Sequence, residues 1–123
     1  LIIQQYVHDV TSDMRVFVVG QRAIAAVHRS HTSGKRKRSA KEKLLTAAEL
    51  APAQRKAAEV AAKVMGLELC TVDMLVQGGV PKIFEVNAVP ALGDMETATR
   101  VNIAGAIVER AEALYLRHKA RAP

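Results

Sequence analysis

The sequence predicts an α+β fold, an antiparallel sheet with helices packed on one face. Two pairs of strand-like segments indicate hairpins, residues 14–19 with 23–28 and residues 67–76 with 82–87. Helical segments lie between and after these hairpins, an order that favours antiparallel pairing. The length of 123 residues fits one domain, residues 1–123.

Each strand is indicated by its residue types and by the turn beside it. Residues 1–7 are rich in strand formers and predict a first strand. Gly20-Gln21 separates two apolar runs and is typical of a two-residue hairpin turn. The chain begins inside the first predicted strand without a methionine, so we expect it to be a fragment of a longer polypeptide.

The helices are indicated by their end signals and by their periodicity. Pro52 favours the first turn of a helix, and Gly66 favours its end. The expected apolar stripe of this helix consists of Ala57, Val60, Ala61, Val64 and Met65. A last helix is predicted over residues 97–118, where apolar residues recur at helical spacing.

Charge and cysteine content limit the classes of function. Lys and Arg outnumber Asp and Glu by 18 to 12, and the resulting net charge of +6 predicts an anionic partner. Residues 31–43 are polar and basic and predict a surface loop. No apolar run is long enough to span a bilayer, so no membrane partner is expected. The single cysteine cannot form an internal disulfide, which favours a reducing compartment, the cytoplasm.

The segment between Thr71 and Asn87 carries the most informative pattern. If residues 78–80 form a three-residue loop, Asp73 lies directly across from Glu85, and Thr71 lies across from Asn87. A two-residue loop would shift the pairing by one and send the two carboxylates to opposite faces. The apolar pairs that favour the first register are Val72 with Val86 and Met74 with Phe84.

Two opposed carboxylates repel each other, and a neighbouring apolar stretch increases the repulsion through desolvation. A hard divalent cation offsets this repulsion. Asp73, Glu85 and the amide oxygen of Asn87 form an oxygen-donor set typical of Mg²⁺. Alternatively, the pair is solvated and partly protonated, or it is neutralised by Arg15 or Arg29. We favour the metal on the chemistry of the donor set.

The run from Glu85 to Leu92, together with Asp73, resembles the metal-binding signature of ATP-grasp ligases. It is most similar to the RimK-type branch, which adds amino acids to carboxylates. Residues 4–7 are similar to the family's adenine-holding hinge, and residues 13–20 are similar to the strand that follows it. The resemblance covers nearly the whole chain and implies the C-terminal subdomain of the ATP-grasp fold.

The resemblance implies ATP and Mg²⁺ (or Mn²⁺) as cofactors, with an amino acid and a carboxylate acceptor, for example a protein tail, as partners. The substrate carboxylate would attack the γ-phosphate to give an acylphosphate, from which an amine would displace phosphate. The implied site residues are Asp73, Glu85 and Asn87 for the metal, Gln5, Tyr6 and Val7 for adenine, Asp13 near the ribose, Arg15 and Arg29 as catalytic contacts to phosphate or carboxylate, and Lys37 and Arg38 for the phosphates.

The sequence departs from the RimK pattern in its basic loop, where residues 37–40 read Lys-Arg-Ser-Ala without an asparagine or a glycine pair. The family's N-terminal domains are expected elsewhere in the polypeptide, so this chain alone is expected to have little turnover. Its uncovered apolar surface favours self-association into a homo-oligomer. Two alternatives remain open, a non-catalytic basic module that binds nucleic acid or an acidic protein tail, and a degenerate ATP-grasp domain kept as a structural unit.

Overall fold

The computed structural model describes residues 1, 3, 12–30 and 45–121. The strands are β1 (Ser12–Val19), β2 (Arg22–Ser30), β3 (Leu45–Ala47), β4 (Leu69–Gln77) and β5 (Val80–Asn87), and the helices are α1 (Pro52–Val64), α2 (Gly93–Thr99) and α3 (Ile103–Lys119). The strands form one antiparallel sheet in the order β3-β2-β1-β4-β5. Apart from Leu1 and Ile3, the predicted first strand lies outside the described residues, as does the basic loop over 31–43.

The α+β class and the antiparallel sheet are confirmed, and the helices lie on both faces of the sheet, not on one only. One face carries the α1-face core, which consists of Met14, Val16, Val18, Ala23, Ala26, Ala58, Ala62, Cys70, Val72 and Met74. The other face carries the α3-face core, which consists of Phe17, Val19, Ala25, Val27, Met95 and Ile103. Because β1 is apolar at every position from Val16 to Val19, both of its faces are buried there.

The first hairpin agrees with its prediction. β1 and β2 are joined by Gly20 and Gln21, whose φ angles of 57° and 64° are typical of a type I′ turn. A β-bulge follows, in which Val18 pairs with Ala23 and Phe17 pairs with Ala25. The short edge strand β3, which the sequence did not predict, pairs with β2 opposite Val27 to Arg29.

Helix α1 begins at Pro52 as predicted, and Gly66 lies just beyond its end. Its predicted apolar stripe is confirmed at Ala61, which packs against the α1-face core, and is wrong at Val60 and Val64, which are 48% and 79% exposed. The residues fully buried against the sheet are Ala58 and Ala62. Small alanine side chains let the helix approach the sheet closely, so they outweigh the larger but misplaced valines.

Two charged residues of α1 hold the helix on the bulge of β2. Arg55 Nη1 donates to the carbonyl of Ala23 at 2.7 Å, and the Ala23 amide donates to Glu59 Oε1 at 3.1 Å. Charged residues of a helix that packs on a sheet usually face water and have no partner in the sheet. Arg55 and Glu59 instead bind the peptide groups of Ala23 and so fix which face of α1 packs on the sheet.

The predicted last helix is two helices, α2 and α3. Arg100, with a φ of 60°, ends α2, and Asn102 caps α3 by accepting a hydrogen bond from the Gly105 amide at 2.8 Å. Asparagine at a helix N-cap is a signal that the sequence already carried. None of the helices in the described ranges is long and apolar enough to cross a membrane.

Candidate functional site

The β4–β5 hairpin places the two acidic residues opposite each other, as predicted. Asp73 pairs with Glu85, and Thr71 pairs with Asn87. The turn itself differs from the prediction, since Gly78 and Gly79, with φ angles of 57° and 80°, form a two-residue turn. Such a turn alone would have shifted the register by one residue.

A β-bulge restores the predicted register. Met74 pairs with Ile83 and Asp73 pairs with Glu85, which leaves Phe84 as the extra residue on β5. The predicted pair of Met74 with Phe84 is therefore wrong. The bulge compensates for the shorter turn, so that both acidic residues share one face of the sheet.

The sheet brings five charged residues together on the face opposite α1. We call this group the charged cluster, and it consists of Asp13, Arg15, Arg29, Asp73 and Glu85. Arg15 on β1 lies beside Asp73 on β4, and Asp13 on β1 lies beside Arg29 on β2. Four of the residues predicted for metal binding or catalysis thus lie together on neighbouring strands, and Asp13, predicted near the ribose, lies beside them.

Asp73 is buried and is held by two arginines. Its side chain is 1% exposed. Arg15 donates from Nε to Oδ1 and from Nη2 to Oδ2, both at 2.7 Å. Arg29 Nη2 donates to the same Oδ2 at 2.7 Å, and Arg29 Nε donates to Asp13 Oδ1. Arg29 therefore bridges two buried carboxylates, and Arg15 forms a bidentate pair with one of them.

The carboxylates of the cluster stabilise the charged form of Arg15. The hydrogen bond to Asp73 raises the pKa of Arg15, against the lowering effect of its burial, and the charges of Asp73, Glu85 and Asp13 raise it further. Neutralisation by arginine, the alternative considered from the sequence, therefore describes Asp73 in this structure. With three carboxylates and two guanidiniums, the cluster has a formal charge of −1.

Glu85 and Asn87 are more open than Asp73. Glu85 is exposed on the edge strand β5, and Asn87 is half-buried. The Asn87 Oδ1 accepts a hydrogen bond from the Val89 amide at 2.9 Å. An amide oxygen and a carboxylate oxygen each have a second acceptor site, so one hydrogen bond leaves both able to bind a cation.

The three side chains suit a hard cation whose remaining ligands are oxygens of a bound molecule or of water. Asp73, Glu85 and Asn87 supply two carboxylates and one amide on one face of the hairpin. Across the part of the chain that the structure describes, no group of three or more His, Cys, Asp or Glu residues is placed to hold a metal. A cation here would therefore share its coordination with oxygens from a ligand or water.

The remaining predicted site residues belong to the first predicted strand and to the basic loop. Gln5, Tyr6, Val7, Lys37 and Arg38 lie outside the described residues.

A separate cavity of about 410 Å³ opens near β3. Its lining, which includes Ala25, Ala47, Leu50 and Val101, contains none of the predicted site residues.

One residue of the site was not singled out by the sequence. Thr71 is 1% exposed, and its hydroxyl oxygen is buried without a hydrogen-bond partner. It lies across from Asn87 and two residues before Asp73, on the same face. The hairpin register alone could have placed it there, but its burial depends on the surrounding fold.

Solved structures similar to this chain define its class. The chain is similar to the ATP-grasp ligase PsnB complexed with a phosphomimetic variant of minimal precursor, Mg and ADP, with a TM-score of 0.68 and 23% identity over 84% of this chain and 32% of that one. It is also similar to D-alanine–D-alanine ligase from Bacillus anthracis, with a TM-score of 0.66 and 18% identity over 92% of this chain and 42% of that one. The fold is that of the ATP-grasp ligases.

The sequence comparisons narrow this class to one family. The family described as RimK-like ATP-grasp domain matches residues 1–111. Probable alpha-L-glutamate ligase 1 of Shewanella denitrificans is 37% identical over 111 residues, which are 89% of this chain and 38% of that protein. The probable alpha-L-glutamate ligase of Vibrio cholerae is also 37% identical, over 89% of this chain and 37% of that protein. The chain belongs to the RimK-like ATP-grasp family, and it spans less than two fifths of the length of these relatives.

Proposed function

We propose that this chain forms the metal- and phosphate-binding part of an ATP-dependent carboxylate–amine ligase. The observation that carries the proposal is the charged cluster, in which Asp73 and Glu85 face each other beside Arg15 and Arg29. Membership of the RimK-like family supports the reaction class. In such a reaction a carboxylate attacks the γ-phosphorus of ATP, which forms an acylphosphate and releases ADP. An amine then attacks the acyl carbon and displaces phosphate, which leaves an amide.

The roles of the residues follow from their chemistry. Asp73, Glu85 and Asn87 would hold Mg²⁺ or Mn²⁺, which when bound neutralises the ATP phosphates. Arg15 and Arg29 would hold the γ-phosphate or the substrate carboxylate in line for attack. Such a site acts by positioning and charge neutralisation, so the chain needs no nucleophilic side chain.

The arginine contacts imply that cation and phosphate bind together. A divalent cation alone would change the charge of the cluster from −1 to +1 while Arg15 and Arg29 still hold Asp73. A polyphosphate supplies the missing negative charge, and its oxygens give the two guanidiniums new partners. We therefore infer that the cation enters as a complex with the nucleotide.

The remaining assignments are proposals of the same kind. Glutamate is the proposed amino acid, because the relatives are named alpha-L-glutamate ligases. Gln5, Tyr6 and Val7 would hold adenine, Asp13 would lie near the ribose, and Lys37 and Arg38 would contact phosphates. Further domains of the same polypeptide would complete the site in the cytoplasm, and the exposed apolar side chains would favour self-association.

One observation favours a second candidate, a degenerate ATP-grasp domain that serves as a structural unit. Asp73 is already neutralised by two arginines, as a purely structural ion pair would be. The two candidates differ in one measurable property. Only a functional site binds a divalent cation in the presence of a nucleotide.

The test is a titration of the ¹⁵N-labelled chain with MnCl₂ in the presence of ADP. Paramagnetic Mn²⁺ broadens nearby amide signals, so we expect selective broadening at Asp73, Glu85 and Asn87. Glu85→Gln should abolish this broadening, because it removes one charged ligand. Glu112→Gln makes the same charge change on the exposed part of α3 and should leave the broadening intact.

Two results would contradict the proposal. Absence of selective broadening with ADP in the parent chain would favour the structural unit. Salt-sensitive binding of nucleic acid that is equal in the parent and in Glu85→Gln, with no Mn²⁺ effect, would favour the basic module.

A further inference from the structure

The hydroxyl of Thr71 makes no hydrogen bond to the described part of the chain. Its oxygen is buried, and among the described residues it is the side-chain polar atom identified as lacking a hydrogen-bond partner. A buried hydroxyl without a partner destabilises a protein relative to an apolar group of the same shape. Valine has that shape and suits a β-strand equally well. The threonine therefore calls for an explanation beyond stability.

The position of Thr71 supplies that explanation. On its own strand it lies two residues before Asp73, on the same face of the sheet. On one side its neighbour is Phe17 of the α3-face core, and on the other side its neighbour is Asn87. The hydroxyl thus lies where the apolar core meets the proposed cation ligands.

Among the three proposed cation ligands, Asn87 is the one whose side-chain amide must be held with its oxygen, not its nitrogen, toward the cation. Its side-chain oxygen accepts a hydrogen bond from the Val89 amide, which holds that end of the amide group. Residues that hydrogen-bond to metal ligands fix the direction in which the ligand atom points. Thr71 is paired directly with Asn87 in the hairpin. The Cβ atoms of directly opposed residues lie about 4.5–5.5 Å apart, a separation at which a threonine hydroxyl and an asparagine amide can form a hydrogen bond.

We propose that Thr71 is a positioning residue for Asn87. When a cation–nucleotide complex is bound, the Thr71 hydroxyl oxygen accepts a hydrogen bond from the Asn87 side-chain NH₂, and the Asn87 oxygen is held toward the cation. This hydrogen bond would supply the partner that the Thr71 hydroxyl otherwise lacks. This inference rests on the proposed function of Asp73, Glu85 and Asn87.

The test compares Thr71→Val with Thr71→Ser in the whole chain. Valine keeps the shape and removes the hydroxyl, and serine keeps the hydroxyl. We expect Thr71→Val to weaken Mn²⁺ binding in the presence of ADP by about tenfold, as substitutions behind metal ligands do. Thr71→Ser should bind within about threefold of the parent. In urea, Thr71→Val should be as stable as the parent or more stable, because it removes an unpartnered buried hydroxyl.

In Thr71→Val, Mn²⁺ affinity is expected to fall while stability in urea is kept or rises. This combination distinguishes a positioning role of the hydroxyl from a packing role. A Thr71→Val chain that binds Mn²⁺ and ADP like the parent would overturn the inference. So would an equal loss of affinity in Thr71→Ser, which would point to lost shape, or a less stable Thr71→Val, which would point to a structural partner of the hydroxyl.

Glu85→Gln, titrated in parallel, keeps this inference distinct from the proposed function. If Glu85→Gln loses Mn²⁺ binding and Thr71→Val does not, only the role of Thr71 is wrong. If Glu85→Gln binds like the parent, the cation site itself is wrong, and the role of Thr71 fails with it.

Discussion

At the scale of single residues, the double pairing of Asp73 is consistent with the proposed function. Buried ion pairs add little stability compared with apolar residues of the same volume, because removing charges from water is costly. Asp73 is 1% exposed, and Arg29 is 10% exposed, so both are largely removed from water. The ion pair therefore adds little stability, although it lies where a cation ligand is expected. This favours a role in which the arginines release the Asp73 carboxylate and bind a phosphate instead.

This exchange predicts that the arginines compete with a cation for Asp73. Arg15→Gln removes both hydrogen bonds of the bidentate pair and leaves only Arg29 on the carboxylate. We expect Mn²⁺ binding without nucleotide to become about five- to tenfold tighter, a coupling typical of linked sites. We also expect a loss of about 1–3 kcal/mol in the free energy of unfolding, because the buried carboxylate of Asp73 loses both hydrogen bonds from Arg15 and keeps only that from Arg29.

The free Mn²⁺ signal in electron paramagnetic resonance measures this affinity, and urea unfolding measures the stability. Arg110→Gln is the matched control, since it removes a guanidinium from Glu68, outside the charged cluster. Unchanged Mn²⁺ affinity in Arg15→Gln would show that Arg15 does not compete for Asp73.

The sequence predicted only the local part of this site. Asp73 and Glu85 belong to one hairpin, so their opposition follows from alternation along two adjacent strands. Arg15 is 58 residues from Asp73 in the chain, and their contact depends on β1 pairing with β4. Nothing in a single sequence fixes the order of strands in a sheet, so neutralisation of the acidic pair by Arg15 or Arg29 was one alternative among several and was not preferred.

At the scale of elements, local sequence signals predicted where a helix or a turn begins, but they did not predict which face of a helix is buried. Pro52 marks the start of α1, and Gly20 marks the first hairpin turn, because both residues act through their own backbone angles. The buried face of α1 depends on how closely the helix approaches the sheet, which the periodicity of apolar residues does not report. For the same reason Ala58 was missed in favour of Val60.

The turn of the first hairpin is also an anchor for α3. A Cβ atom added to Gly20 would lie 2.7 Å from Arg110 Nε, whereas one added to Gly78 would have nothing within 4 Å. Both glycines have a φ of 57°, so alanine at either position costs about 1–2 kcal/mol of backbone strain. We expect Gly20→Ala to be more destabilising in urea unfolding than Gly78→Ala, because Arg110 must also leave Glu68.

Two further measurements isolate the contact. In an Arg110→Ala background the excess cost of Gly20→Ala should vanish, since no side chain remains to be displaced. Arg110 lowers the pKa of Glu68, so the ion pair contributes above the ordinary glutamate pKa and is lost as the pH falls through the lowered value. The excess should therefore also vanish in acid, and an excess that persists in both cases would contradict this account.

At the scale of the whole molecule, two cores lie on opposite faces of one sheet. Residues of the α1-face core and of the α3-face core alternate along β1, so both cores depend on the position of this one strand. The α+β class was predictable from the two hairpins. The second covered face was not, because the sequence does not show on which side of the sheet each helix returns.

Because the two cores share strands, we expect the two faces of the sheet to unfold together. Cys70 is the single cysteine of the chain, so thiol labelling can test this without introducing another cysteine. Its thiol is fully buried in the α1-face core, and burial raises its pKa, so it reacts only after opening. Ile103→Ala removes buried volume from the α3-face core and should cost about 2–5 kcal/mol. Thiol labelling of Cys70 should therefore become at least about tenfold faster, even though Ile103 belongs to the other core.

Val108→Ala is the matched control for this experiment, because Val108 lies on the same helix but is 57% exposed. Its substitution should leave the labelling rate of Cys70 unchanged. If Ile103→Ala loosens α3 by circular dichroism while Cys70 reacts at the parent rate, the two faces open independently. In that case the charged cluster between β1 and β4 would lie on the face that opens without disturbing α1, and its stability would have to be measured separately from that of the α1-face core.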